Sequence, residues 1–592
     1  MIRKLTIQML LAQVLSVLTT SLCMLVDSIV IGRFLGVGAV AAYGLCSPIL
    51  LIIGGLGTIL SAGVQVTCSA SIGKGLIDEA NKDYSSAVGT AFIFSASFLL
   101  LVIALQKFIP TWMGAGTSGD LYDSARGYLV GFSIGAPGCM IALVLIPFLQ
   151  MAGQMVLLIS AVVAMTITDV ALDLLNATVF HWGLYGMGLA SAISYYVALV
   201  VAIWYFFSKK GIFRFRFRNV SIRRVGLIFK SAIPSVFNIG TGVALVFLVN
   251  KILLGLNGSI AVAAYSVITT IGNASNCIST GVYGVSLTLT GVLFQEEDKT
   301  GLKVMLKTLI PRCVFMGIGV GALLGVFAPQ LVDLFLTSGS GASRDMAIMG
   351  LRIYALGLVP CCINNAFKGY LQGSARIKAI VNYSMSEGLL VPAIFAFALS
   401  HPFGTTGVWF YFVAGETLAL LGFSLLKWKR AHRVALDIDV YLDFKKGFGV
   451  APEDMLESDI RTMEEVMAFS ETAEKFCLDH GHTKITAGHV AMCIEEMAGN
   501  IILHGFSPKG RNNLSVRIQD HDNRWIIRFR DDCRAFDPLN YVFKDDAPIS
   551  GIRLMMKVAD EARYTYSMNL NNLMIVVCGN KSRDPAIDNN RT

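Results

Sequence analysis

Between residues 8 and 427 the chain is a succession of about twelve apolar runs, each near twenty residues long, and this excludes most folds at once. A run of that length crosses the hydrocarbon core of a bilayer as a helix, which satisfies its own backbone hydrogen bonds there. The runs lie near 8–32, 47–72, 86–106, 126–148, 155–178, 186–207, 228–252, 260–285, 306–327, 350–371, 378–399 and 405–427. Only 15% of the 592 residues are charged, against about 25% in an ordinary soluble domain. The charge is divided unevenly: residues 1–430 carry 28 Lys and Arg against 15 Asp and Glu, whereas residues 431–592 carry 20 against 25. A basic membrane body is therefore followed by a slightly acidic soluble tail.

Lys and Arg concentrate on the connections that a cytoplasmic N-terminus places inside, above all KKGIFRFRFRNVSIRR at 209–224. Its alternating Arg and Phe fit an anionic lipid surface as well as a topology-setting loop. This predicts a multi-pass protein of the cell (inner) membrane with both termini and the tail in the cytoplasm. Trp112, Trp182 and Trp409 fall at the predicted outer interfaces. The 12 cysteines are scattered with no C-x-x-C pair, a pattern of reduced packing residues. No cleavable signal peptide is expected, because the first apolar run lacks a small-residue cleavage site.

The body is duplicated. AVAAY at 39–43 recurs at 261–265, Leu149-Gln150 as Leu371-Gln372, Pro137 as Pro360, and Gly183-x-x-Gly186 as Gly404-x-x-Gly407. With six runs in each half, both halves have the same orientation and enclose a path between them.

Carboxylates interrupt the apolar runs. Asp169 and Asp173 are four residues apart and share one helix face, and Asn176 adds a neutral oxygen to it. Asp27 sits in the first run at similar depth. Ionisable groups in such runs mark ion or substrate paths and need a proton, a cation or a basic partner. Glu387 and Glu416 lie in the last two runs, suited either to a cationic substrate or to pairing with a base such as Lys368.

The runs VDSIVIGRFLGVGAVAAYG at 26–44, SAGVQVTCSASIGKGLIDEANK at 61–82 and DVALDLLNATVFHWGLYGMGLASAIS at 169–194 resemble the first, second, and fifth to sixth helices of the multidrug and toxic compound extrusion (MATE) family. The resemblance spans roughly residues 5–430. It implies twelve transmembrane helices in two six-helix lobes, 1–207 and 228–430, joined by a basic loop at 208–227. It also implies export of organic compounds against entry of Na+ or H+. By position, Asp27 matches the family's first-helix cation-site aspartate, and Asp169 and Asp173 match fifth-helix positions that complete that site in some members. The seventh run departs from the best-known drug-exporting branch: after Ala232-Ile233-Pro234 it has Asn238 but no carboxylate.

After a linker at 431–455, residues 456–580 read as an α/β sandwich, with residues 581–592 as a terminal tail. Helices are expected at 459–479, 489–504 and 551–559, and strands at 514–519, 524–530, 561–567 and 572–578. Glu496 and Asn500 share a helix face, a pairing suited to Mg2+-nucleotide chemistry: the amide ligates the metal and the acid orients a nucleophile. With His504-Gly505 they resemble the N box of the GHKL (histidine kinase-like) ATPases, specifically the anti-sigma-factor serine kinases. RDDCRAFDP at 530–538 resembles the adenine box, and GIRLMMKVADEARYTY at 551–566 the later glycine box and final helix-strand unit. This implies ATP and Mg2+ as cofactors. Asn500 would ligate Mg2+, Glu496 would serve as the catalytic acid/base, Asp531 would accept from the adenine amino group, and Ala535 and Gly551 would line the nucleotide. Cys533 and Arg553 stand where that family has glycines.

Three readings fit. The first is an ion-coupled antiporter of organic or xenobiotic compounds with an ATP-binding regulatory tail. The second is a membrane-anchored sensor whose tail is a serine/threonine protein kinase, and the third is a lipid-precursor flippase. The absence of a G-x-x-x-x-G-K-[ST] run argues against an ATP-driven pump. Expected partners are the lipid bilayer, a small organic substrate and an anti-sigma-type protein for the tail, with no nucleic acid.

Overall fold

The computed structural model describes residues 1–592 apart from 114, 116, 208–211, 336–340, 436, 446, 508–511, 522–523, 542–550 and 580–592. The start of the basic loop and the terminal tail thus lie outside the described residues. The chain divides into two compact units between Asp443 and Phe444.

The first unit is helical. Its first half comprises α1 (Ile2–Val30), α2 (Val37–Gly73), α3 (Ile77–Leu105), α4 (Ile109–Trp112), α5 (Asp120–Ile134), α6 (Ala136–Met151), α7 (Met155–Leu175) and α8 (Gly183–Phe207). The second half comprises α9 (Ile222–Ser275), α10 (Cys277–Gln295), α11 (Lys299–Val326), α12 (Ala328–Asp333), α13 (Gly341–Leu356), α14 (Leu358–Gly373), α15 (Ile377–Met385), α16 (Val391–Trp409) and α17 (Tyr411–Ala431). Among the described residues nine helices are long and apolar enough to cross a membrane, or eleven when each of two bent pairs counts as one span. One expected boundary differs. The runs at 228–252 and 260–285 fall on the two helical arms of α9 that Gly258 separates, and the second run continues into α10. The run at 405–427 is α17, which carries Glu416, Lys427, Lys429 and Arg430 and falls outside the nine.

The duplication is written in the backbone. The two bent pairs, α5–α6 and α13–α14, bend by 48° and 47°. Gly36 (φ 85°) corresponds to Gly258 (φ 63°), and Gly183 (φ 59°) to Gly404 (φ 58°). Each is a left-handed turn that suits glycine, and each pair keeps the spacing of the repeated sequence. The halves meet where α1 and α2 pack on α10. There Gln65 Nε2 donates to the Gly284 carbonyl at 3.2 Å, and a side chain at Gly281 would meet Val14 Cγ2 at 2.6 Å.

The basic loop is laid along α3. Arg214 N donates to Asn81 Oδ1 (2.7 Å), Arg216 N to Ser85 Oγ (3.2 Å) and Ser221 N to Ser86 Oγ (3.1 Å). Phe213 is buried among Tyr84 and Phe148, whereas Phe217 is 85% exposed. Arg224 pairs with Glu79 and Asp83 of α3. Trp112 and Trp182 are exposed, as an interfacial belt requires, but Trp409 is fully buried and stacks on Tyr265 at 6.1 Å. It ends α16 inside the second half, so its place in the belt is withdrawn.

Within the segment read as a linker, Ile438–Leu442 forms a short helix, α18, held to the membrane body. Tyr370 Oη donates to the Leu442 carbonyl (2.5 Å), and Lys427 and Arg430 hold Asp443 at 2.9 and 3.1 Å. Partial burial pushes the Asp443 carboxyl up, but these cations outweigh it and hold it below the ordinary carboxylate value.

The second unit is a five-stranded antiparallel sheet, β1 (Met455–Ile460), β2 (Leu514–His521), β3 (Arg524–Asp531), β4 (Glu561–Ser567) and β5 (Leu570–Cys578), in the order β1-β2-β3-β5-β4. It carries helices α19 (Met463–Asp479), α20 (Lys484–Asn500) and α21 (Gly551–Val558). Trp525, Ile527 and Phe529 from β3, Val490 and Ile494 from α20, and Ile575 from β5 share one core. β1 falls where a linker and a helix start were expected. Its sequence MLESDI is too polar to signal a strand, and among the described residues it is an edge strand paired with β2. All 12 cysteines are free, and only Cys578 is exposed.

Candidate functional site

In the first half, α1 and α7 bring three acids together. Asp173 is wholly buried and Asp169 is 2% exposed; both are electrostatic neighbours of Asp27 on α1. Four of their six carboxylate oxygens, Asp27 Oδ1, Asp169 Oδ1 and both of Asp173, are buried without a hydrogen-bond donor. Cys23, one turn before Asp27, donates its thiol to Asp169 Oδ2 at 2.6 Å. Tyr128 and Tyr195 lie within the field of Asp27. Buried carboxylate oxygens without donors are costly; an arriving cation or proton relieves that cost. Asn176 is occupied otherwise. Its amide donates to the Gly183 carbonyl (2.9 Å) and its oxygen accepts from Trp182 N (3.1 Å). It closes the turn between α7 and α8 and is not the extra ligand that its spacing suggested.

The second half has its own polar chamber, a cavity of about 330 Å³ bordered by Glu416, Glu387, Asn238 and the tyrosines 265, 354 and 411. Here the two glutamates part company. Glu387 lies 2.8–2.9 Å from the buried Lys368 ammonium. Glu416 has no such partner in the described ion pairs; its Oε2 accepts from Asn364 Nδ2 at 2.7 Å, and Asn364 Oδ1 accepts from Tyr383 Oη at 2.6 Å. Asn238 lines the chamber as well.

In the second unit Glu496 and Asn500 lie half-buried on α20. Gly551 opens α21 directly against the Glu496 carboxylate, so close that a Cβ there would collide with it. Asp531 ends β3, 3% exposed. Its Oδ1 accepts from Asn571 Nδ2 (2.7 Å) and from Cys533 N (3.0 Å). Burial raises the Asp531 carboxyl above its ordinary value, and those donors together with the Cys533 thiol partly offset the shift. Asn571 also donates to the Arg534 carbonyl and accepts from Phe536 N, so it staples the loop carrying the exposed Ala535 to β5. Cys533 lies against Gly505, which joins that loop to the end of the Glu496 helix.

A model of the MatE family matches residues 13–175 and 234–398. The chain belongs to the MatE family. The two stretches are offset by 221 residues at their starts and 223 at their ends, the spacing of the paired turns, so each MatE stretch supplies one half of the body. The MepA multidrug export protein of Staphylococcus saprophyticus is 23% identical over 405 residues, 67% of this chain and 87% of that protein. A Staphylococcus aureus counterpart is 24% identical over 412 residues, with the same coverage. Among solved structures, an outward-facing multidrug resistance MATE family transporter aligns with TM-score 0.67 at 21% identity, over 73% of this chain and 96% of its own. The Vibrio cholerae MATE transporter VcmN gives 0.66 at 16% identity, over 75% and 99%. The second unit lies outside the matched MatE stretches.

Proposed function

We propose that this MatE-family chain exports organic or xenobiotic compounds as a twelve-helix antiporter driven by entry of Na+ or H+, from the cell membrane, with both termini cytoplasmic. The observation that supports coupling is the group of donorless carboxylate oxygens on Asp27, Asp169 and Asp173. Cation or proton binding there compensates the buried charge, and its release alternates access between the halves. The chamber around Glu416 supplies a carboxylate, aromatic rings and amides for an organic substrate. The MepA relatives carry the name of multidrug exporters, which agrees with this reading.

The tail is read as a GHKL-type regulatory domain. Its residues fit Mg2+-ATP: Asp531 offers a carboxylate for an adenine amino group, oriented by Asn571 at Oδ1, and the Asn500 oxygen stands one turn from Glu496. When bound, ATP would supply a transferable phosphoryl group. The sensor reading differs in making phosphotransfer to a protein partner the output, with Glu496 orienting the nucleophile.

The test is dye efflux from proteoliposomes under imposed Na+ and proton gradients. The parent chain is expected to concentrate ethidium against the gradient, and Asp27→Asn is expected to abolish gradient dependence while remaining monodisperse. Gradient-driven transport at the parent rate in Asp27→Asn would refute the coupling role.

A further inference from the structure

The geometry points to a binding site for a thiophilic divalent cation, of the Zn2+ or Cd2+ class, formed by Cys23 with Asp27, Asp169 and Asp173. One ligand atom each from Cys23, Asp27 and Asp169 lies within 4.8 Å of the others. Tetrahedral zinc with one sulfur at about 2.3 Å and oxygens near 2.1 Å needs neighbours roughly 3.5 Å apart, a spacing that lies inside that limit. Asp173 supplies the independent pointer. It is wholly buried, and no donor outside the acid group reaches either oxygen; its one hydrogen-bonding neighbour is Asp27, which can bridge to it only through a shared proton. The set therefore offers one sulfur and three carboxylates, with four donorless oxygens. A monovalent ion leaves much of that negative charge uncompensated, and a dication compensates more of it. The thiol decides the class, because hard cations take oxygen ligands and borderline or soft cations favour sulfur.

On binding, the Cys23 S–H bond breaks, the thiolate binds the metal and the proton passes to water. The hydrogen bond from Cys23 to Asp169 is thereby exchanged for two bonds to one ion. Occupancy ties α1 to α7 and withdraws the carboxylates from any coupling cation, so the metal inhibits transport. That consequence, unlike the binding itself, rests on the antiporter reading.

The full chain in detergent is titrated with Cd2+ by calorimetry, and with Co2+ to detect thiolate-to-metal charge-transfer absorption. Cys23→Ser keeps a hydroxyl donor for Asp169 and is checked for monodispersity. The parent is expected to bind one Cd2+ at this site. Cys23→Ser should lose the Co2+ thiolate band and weaken Cd2+ at least about tenfold, and Asp173→Asn should weaken it too. An unchanged band and affinity in Cys23→Ser would assign the signal to other cysteines and overturn the site. If that variant is not monodisperse, X-ray absorption on parent protein with one Zn2+ decides: one sulfur among oxygen ligands supports the site, and none, or two or more, overturns it. In the transport arm, Cd2+ should block parent efflux and spare Cys23→Ser. Metal binding without any ion-driven efflux in the parent would keep the site and remove the antiporter reading.

Discussion

Lys368 and Glu387 form a buried ion pair in α14 and the turn before α16, with side chains only 7% and 6% exposed. Removing one member of such a pair leaves the other charge without compensation, at a cost of about 3–5 kcal/mol. Glu387→Gln is therefore expected to lower the thermal midpoint of the detergent-solubilised chain markedly. Glu416→Gln retains an oxygen for Asn364 and should stay within about 1 kcal/mol of the parent, while weakening ethidium transport. Equal melting of the two variants would show that the pair contributes nothing. The sequence left these glutamates equivalent, because spacing alone does not say which carboxylate reaches a lysine one helix away. It singled out Asp169 and Asp173 by their four-residue spacing. Cys23 and Asp27 have the same spacing, yet a cysteine in an apolar run reads as packing until Asp169, 146 residues away, is seen beside it. Asn176 shows the converse: the right helix face but the wrong end of the helix, where the turn to α8 claims its side chain.

At the scale of elements, the left-handed glycines carry the architecture. Gly258 (φ 63°, ψ −143°) and Gly404 (φ 58°, ψ −141°) occupy a region of backbone space nearly closed to other residues. An alanine at either costs about 1–3 kcal/mol, although nothing within 4 Å would meet its Cβ. Gly404→Ala should depress the melting temperature, whereas Gly422→Ala, in open space on α17 with ordinary helical φ, should leave it unchanged or raise it slightly. Identical shifts would refute the backbone explanation. The long apolar runs and the repeat were legible because the bilayer imposes length and the duplication preserves spacing. The joins were less legible: apolar length alone does not show that Gly258 in α9 and Gly404 in α16 break the helical backbone. Trp409 was misplaced for a related reason, since run length locates a segment along the membrane normal but not which face meets lipid.

At the scale of the molecule, a unit with its own apolar core follows the membrane body from Phe444 onward, and its strands were largely legible because β2 alternates apolar and polar residues in its sequence and β3 also alternates in burial. The fragment 444–592 is expected to fold alone and to bind ATP with Mg2+ in calorimetry; starting at 456 would trim β1. Asn500→Ala should abolish Mg2+-dependent binding by removing the metal's oxygen ligand. Glu496→Ala should keep binding and lose any phosphotransfer, because it acts on the nucleophile rather than on bound nucleotide. Asp531→Asn separates binding from folding. Its carboxyl is raised by burial, so the folded unit holds that proton more tightly than the unfolded chain. Ionisation therefore costs stability as pH rises from the ordinary aspartate range through the raised value, and asparagine removes that cost. Relative to the parent, Asp531→Asn should gain stability as pH rises above the ordinary aspartate range. It should still bind ATP more weakly, since an amide presented to the adenine amino group substitutes a donor or a neutral acceptor for a carboxylate, at a cost of about 1–3 kcal/mol, or roughly five- to 150-fold in Kd. Absence of ATP binding by the folded parent fragment at millimolar nucleotide and Mg2+ would leave the tail as a protein-docking module, with the Asn571 staple serving only to hold its loop.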